Sequence, residues 1–157
     1  MNQCALNEID DPHEAIPNQP ARARNNVILL AEDEGPLRGV LSYVLEIEGF
    51  KVVTATDGLE ALTVARLYNP LVAILDVMMP RLDGDTVCRA MKADLELSNA
   101  FVVLISALPP EQTAQRAFDA GADLCMSKPI DHEALLGVIT EAFEHRVGFR
   151  PCRLLHS

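Results

Sequence analysis

Four apolar runs in this 157-residue chain each end on a group able to do chemistry. Glu32-Asp33-Glu34 follows residues 27–31, Asp76 follows 71–75, Ser106 follows 101–105, and Ser127-Lys128-Pro129 follows 122–126. Two carboxylates about 4 Å apart repel by roughly 4 kcal/mol at an effective dielectric near 20, so gathering Glu32, Asp33 and Asp76 in one place calls for a bound cation. An all-oxygen ligand set favours a hard ion, Mg2+. Taken singly, each group has an ordinary explanation. The acidic triplet would cap a helix ahead of Pro36, Asp76 would cap a strand end, Ser106 would be a loop hydroxyl, and Lys128 would be a surface lysine at a turn. Separate explanations do not account for such groups recurring at four strand ends.

The elements that must position them alternate along the chain. Strand-length runs rich in Val, Ile and Leu occupy 27–31, 52–55, 71–75, 101–105 and, more weakly, 122–126, as expected of strands covered on both faces. Helical spacing fills 36–48, 59–67, about 86–93, 110–120 and 132–144. Gly49 and Gly121 stand where helix ends need a left-handed residue, Asn69-Pro70 stops the second helix, and Asp131 is placed to cap the last. Five strands alternating with five helices predict an α/β domain with a doubly wound, flavodoxin-like parallel sheet, strand order 2-1-3-4-5, and helices on both faces. That order brings the carboxyl ends of strands 1 and 3 together, with strands 4 and 5 alongside.

The composition, 49% hydrophobic and 23% charged without tryptophan, suits one globular domain with an aliphatic core. A net charge of −10 lacks the electrostatic footprint of a protein that coats DNA or anionic lipid. No basic start with an apolar run marks a leader, and no run is long enough to span a bilayer, so a cytoplasmic protein is expected. Cys4, Cys88, Cys125 and Cys152 are scattered and read as free thiols. Residues 1–25, interrupted by Pro12, Pro17 and Pro20, are expected to be a flexible tail, 26–146 the domain, and 147–157 a short C-terminal tail.

The segments VILLAEDE, ILDVMMPRLDG, VVLISA and GADLCMSKPI resemble the successive signatures of the receiver domain of bacterial two-component response regulators, the chemotaxis response regulator among them. The resemblance covers about 26–146, and the spacing agrees, with Ser106 thirty residues after Asp76 and Lys128 twenty-two after Ser106. It implies that Asp76 is the phosphoacceptor for a histidine kinase or phosphotransfer protein. It implies a Mg2+ site made by Glu32, Asp33, Asp76 and the main-chain carbonyl of Met78. Lys128 would neutralise the transferring oxygens, Ser106 would bond the acyl phosphate, and the Lys128-Pro129 bond would be cis. Such a chain is a phosphoacceptor that assists its own phosphorylation and dephosphorylation, and not an enzyme in the ordinary sense.

Three departures from the family pattern carry expectations. Cys125 stands at a switch position where relatives commonly have Tyr or Phe, so the signal is expected to rely on the Ser106 loop and the fourth helix. Met78 and Leu108, two residues after Asp76 and Ser106, cannot orient an attacking water well, which predicts a long-lived phosphoryl group. The segment HRVGFRPCRLLHS reads as a frayed extension of the last helix in preference to a docking tail. It is too short for a DNA-binding module, so the expected output is protein interaction, a homodimer through the helix 4–strand 5–helix 5 face, or phosphorelay, with no direct DNA contact and no membrane partner. Two other readings fit the sequence less well. A haloacid dehalogenase-type phosphatase would place a second Asp where Met78 stands, and a nucleotide or flavin module would need a Gly-rich loop after strand 1. A receiver-like scaffold that is never phosphorylated is the remaining alternative.

Overall fold

The computed structural model describes residues 26–144 and 153–155. In chain order the elements are β1 (Val27–Ala31), α1 (Gly35–Ile47), β2 (Lys51–Ala55), α2 (Gly58–Tyr68), β3 (Val72–Asp76), α3 (Gly84–Ala93), β4 (Phe101–Ser106), α4 (Pro110–Ala120), β5 (Leu124–Ser127), α5 (His132–Glu144) and β6 (Arg153–Leu155). All strand pairs are parallel, in the order β2-β1-β3-β4-β5-β6. The five expected strands thus lie in the expected order, and a sixth joins the edge of β5.

That sixth strand corrects the expectation for the C-terminal segment. Arg153–Leu155 does not continue a helix but pairs with Leu124–Met126. The physical reason is that β5 would otherwise present a row of unpaired backbone groups along the sheet edge, and a parallel strand following a crossover helix satisfies them. The expected N-terminal tail and the remainder of the C-terminal one, with Cys4 and Cys152, lie outside the described residues.

Alternation along the strands divides the core. Leu29, Ala31, Ala73, Leu75, Val102, Leu104 and Cys125 face α2, α3 and α4, whose buried contributions are mostly small: Ala61, Ala65, Val87, Cys88, Ala117 and Ala120. Ile28, Leu30, Val72, Ile74, Val103, Ile105 and Met126 face α1 and α5, which answer with Leu41, Leu45, Leu135 and Ile139. Both faces of the three central strands are covered, which is why their sequences read as unbroken apolar runs.

The helix ends follow the sequence signals. Gly49 (φ 100°) and Gly121 (φ 81°) are left-handed, as is Asn69 (φ 48°) at the end of α2. Asp131 Oδ1 accepts the N–H groups of Glu133 at 3.0 Å and Ala134 at 3.2 Å, capping α5. At the opposite end of the sheet from the candidate site, Lys92 Nζ donates to Ala100 O (2.7 Å) and Asp123 Oδ2 (2.9 Å), and Asp123 Oδ2 also accepts the Val102 N–H at 2.8 Å. This ties α3 to the starts of β4 and β5.

Candidate functional site

The parallel register sets the ends of β1, β3, β4 and β5 side by side, with Asp76 paired to Ile105 and Ser106 to Ser127. Asp76 and Ser106 are the last residues of their strands, so their backbones are fixed by the ladder while their side chains reach the sheet edge. Glu32 is fully buried just past β1; its N–H donates to Ala55 O at 3.0 Å, and its carbonyl accepts Arg38 Nη1 at 2.8 Å. The Lys128-Pro129 bond is cis, and the Lys128 N–H donates to Ser106 O at 2.8 Å, which fixes the backbone beside the end of β4.

These placements bring the expected residues together. Carboxylate oxygens of Glu32, Asp33 and Asp76 lie within 4.8 Å of one another. Lys128 Nζ sits 3.0 Å from Asp76 Oδ2 and 3.1 Å from Glu32 Oε1. Asp76 Oδ1 accepts the Met78 N–H at 3.3 Å, and Glu32 Oε2 accepts the Glu34 N–H at 3.0 Å. Burial pushes the Glu32 carboxyl up to about 7; the Glu34 N–H lowers it, the Asp76 charge raises it and Lys128 lowers it, and the upward causes prevail. Burial works against the Lys128 charge, yet Asp76 and Glu32 outweigh it and hold the ammonium above its ordinary value.

The residues fit a hard divalent cation. The donors are all oxygen, three carboxylates face one ammonium, and Glu32 Oε1 is buried without an aligned hydrogen bond despite its proximity to Lys128.

Ser106 is fully buried, and its Oγ accepts the Leu108 N–H at 2.9 Å, which holds the loop leading into α4. The Met78 side chain is half exposed beside the cluster. Cys125 is buried one strand away, on the side of the sheet that carries α4. On the same side, burial pushes the Cys88 thiol up to about 12, consistent with an unreactive core cysteine.

Sequence reasoning missed several residues around the site. Gly84 is pressed against Asp76: a Cβ there would come 2.2 Å from the Asp76 carbonyl oxygen, so the turn after β3 tolerates only glycine. Its place in the LDG triplet was the available signal. Arg81 is left-handed at φ 73°, and Arg116 on α4 reaches Asp83 and Asp85; no local pattern announces either.

Comparison with known proteins agrees with this geometry. The family profile described as response regulator receiver domain matches residues 28–140. The DNA-binding dual master transcriptional regulator RpaA of Synechocystis is 34% identical over 130 residues, covering 83% of this chain and 54% of that protein. The transcriptional regulatory protein CseB of Streptomyces avermitilis is 33% identical over 129 residues, covering 80% of this chain and 54% of its own. The chain therefore spans about half the length of the curated relatives it matches. Among solved structures, the receiver domain of a signal transduction histidine kinase from Syntrophus aciditrophicus aligns with a TM-score of 0.72 at 28% identity, covering 76% of this chain and 91% of that one. Chemotaxis protein CheY4 of Vibrio cholerae aligns at 0.70 and 26%, covering 74% and 98%.

The relatives overturn one expectation, that of no direct DNA contact. RpaA is described as DNA-binding, CseB as a transcriptional regulatory protein, and ycf27 of Cyanophora paradoxa as a probable transcriptional regulator. The expectation rested on the acidic balance and on the short last segment, and neither bears on the half of these relatives' length that the chain does not span.

Proposed function

The chain belongs to the response regulator receiver family, and on that premise we propose that Asp76 accepts a phosphoryl group from a phosphohistidine on a kinase or phosphotransfer protein and so switches a binding surface. One observation carries the reading: three carboxylates and the Lys128 ammonium converge at the ends of β1, β3 and β5, with Lys128 within 3.1 Å of both Glu32 and Asp76.

Asp33, Asp76, Glu32 and the main-chain carbonyl of Met78 would hold Mg2+, which when bound supplies positive charge to the transferring oxygens. Asp76 supplies the attacking oxygen; the new O–P bond forms as the P–N bond to the donor breaks, and because the donor ring reacts with its other nitrogen protonated, it leaves as neutral imidazole. Lys128, already on Asp76 Oδ2, is placed to stay beside the phosphoryl oxygens. Ser106 would turn its hydroxyl from the Leu108 N–H to donate to a phosphoryl oxygen, which frees the loop before α4. With Cys125 in place of a bulky aromatic, that loop and α4 carry the change. Met78 and Leu108 offer no polar group to orient water, which supports a slowly hydrolysed acyl phosphate.

The output proposed is control of a regulator's activity, with transcription favoured by the relatives. A homodimer through α4, β5 and α5 would have to use the helix surfaces or displace β6, because β6 already pairs with β5. A cytoplasmic setting, where phosphohistidine donors operate, belongs to the same proposal, as does treating 26–146 as the functional unit.

Incubation with a small-molecule acyl phosphate, followed by intact-mass measurement, tests the reading. The expected result is one Mg2+-dependent phosphoryl adduct on the wild type and none on Asp76→Asn. An adduct of equal yield on Asp76→Asn would place the chemistry elsewhere, and no adduct on either would favour a scaffold that is not phosphorylated.

A further inference from the structure

Arg116 sits in the middle of α4, and its guanidinium is forked across two carboxylates in the first turn of α3, the N-cap Asp83 and Asp85. Nε donates to Asp85 Oδ2 at 2.9 Å, while Nη2 donates to Asp83 Oδ2 at 2.9 Å and Asp85 Oδ1 at 3.3 Å. Nη1 lies 3.9 Å from Met78 Sδ. Asp85 is buried and Arg116 only one-third exposed, so this is not a loose surface pair. The hydrogen bonds to Asp85 lead the causes that hold the guanidinium above its ordinary value.

The two carboxylates flank Gly84, and Gly84 is the residue packed against the Asp76 backbone. Its N–H donates to Val77 O at 2.8 Å, and its Cα leaves no room for a Cβ beside the Asp76 carbonyl. A rigid series of contacts therefore runs from Asp76 through Gly84 to Asp83 and Asp85, and from them through Arg116 to α4.

What else grips α4 is weak by comparison. Its buried side chains are Thr113, Ala117 and Ala120, and the Thr113 hydroxyl is buried without a hydrogen-bond partner among the described residues. Helix α5, in contrast, buries Leu135 and Ile139. A helix held by small groups slides at less cost than one held by interlocked large ones, so a directional tether decides where it sits.

We infer that Arg116 is a positioning residue that couples Asp76 to α4 through the Asp83–Asp85 turn, a second route beside the Ser106 loop. The inference rests on the phosphoacceptor reading. A change at Asp76 that shifts Gly84 moves both carboxylates together, and the planar fork transmits their displacement to α4 as a unit. Lysine at 116 would keep the charge and lose the two-carboxylate geometry.

The test compares amide NMR spectra of the wild type, Arg116→Ala and Arg116→Lys, each before and after addition of Mg2+ and beryllofluoride as a phosphoryl stand-in. In the wild type, resonances of Asp83–Asp85 and of Thr113–Ala120 are expected to shift together. In Arg116→Ala the turn should still respond while the α4 response falls about two-fold or more, within the range by which single residues alter communication between sites. Arg116→Lys should recover part of it. Unchanged Lys92 and Asp123 resonances show that each variant is folded, and the lysine variant carries the test if the alanine variant is not. A full α4 response in both variants would overturn the inference and leave Asp76 as phosphoacceptor intact. A wild-type response at Asp76 with none at Asp83–Asp85 would likewise overturn this inference alone, whereas no response at Asp76 itself would overturn the phosphoacceptor reading and this inference with it.

Discussion

Lys92 and Lys128 each place an ammonium close to an aspartate, at 2.9 Å from Asp123 and 3.0 Å from Asp76, at opposite ends of the same sheet. At the Lys92 end one ammonium meets one carboxylate, and the remaining bonding capacity goes to backbone, to Ala100 O and from the Val102 N–H. At the Lys128 end one ammonium meets Glu32 and Asp76 with Asp33 beside them, and a buried Glu32 oxygen is left without an aligned hydrogen bond. The same residue types thus make a satisfied structural tie in one place and an overcharged cluster in the other. Satisfied buried polar groups stabilise a fold, whereas an excess of like charge costs stability until something else binds. On the function proposed above, the Lys128 end is the working one, and this difference supports that reading.

The comparison predicts mutational effects of opposite sign. The largest expected effect is at the structural end: Asp123→Ala should lower stability by about 3 kcal/mol in urea unfolding, toward the low side for a broken buried pair because Lys92 keeps some solvent contact. Phosphoryl acceptance per folded molecule should not change. A loss below about 1 kcal/mol, the range of exposed pairs, would mean that the Lys92 tie is no more than a surface contact.

At the working end, Asp76→Asn removes one of three crowded carboxylates and should raise stability in metal-free buffer by on the order of 1 kcal/mol. Destabilisation instead would show that the attraction of Lys128 for Asp76 outweighs the repulsion, and the contrast between the two ends would lose its physical basis. Smaller still is the effect of Met78→Asn. It should leave stability nearly unchanged and shorten the phosphoryl lifetime several-fold by giving an attacking water a partner; an unchanged decay rate would make Met78 a packing residue only.

How much of this was legible in the sequence depended on the range of the interaction. Strands ending in Asp76 and Ser106, the left-handed Gly49, Asn69 and Gly121, and the Asp131 cap all follow from local rules, because each is decided within a few residues. The convergence of Glu32, Asp33, Asp76 and Lys128 followed from topology, since a parallel sheet of that order leaves its carboxyl ends no other arrangement. The Lys92–Asp123 tie and the Arg116 fork join residues 31 or more positions apart and are created by how helices settle on the sheet. No periodicity encodes them. β6 was missed because Arg153-Leu154-Leu155 suits a helix end or a strand equally, and only the open edge of β5 selects the strand. The DNA expectation failed because neither the charge of one domain nor the length of the segment after it reports on the half of these relatives that the chain does not span.

If a divalent cation completes the Lys128 cluster, as proposed, urea unfolding with and without Mg2+ will show it. A ligand that binds only the folded state stabilises it in proportion to the logarithm of its concentration over the dissociation constant. Mg2+ is expected to raise the unfolding midpoint of the wild type, Asp33→Ala to abolish most of this gain, and Asp123→Ala to keep the gain in full on a lower baseline. An equal gain in the wild type and Asp33→Ala, or none in the wild type, would contradict the proposed cation site.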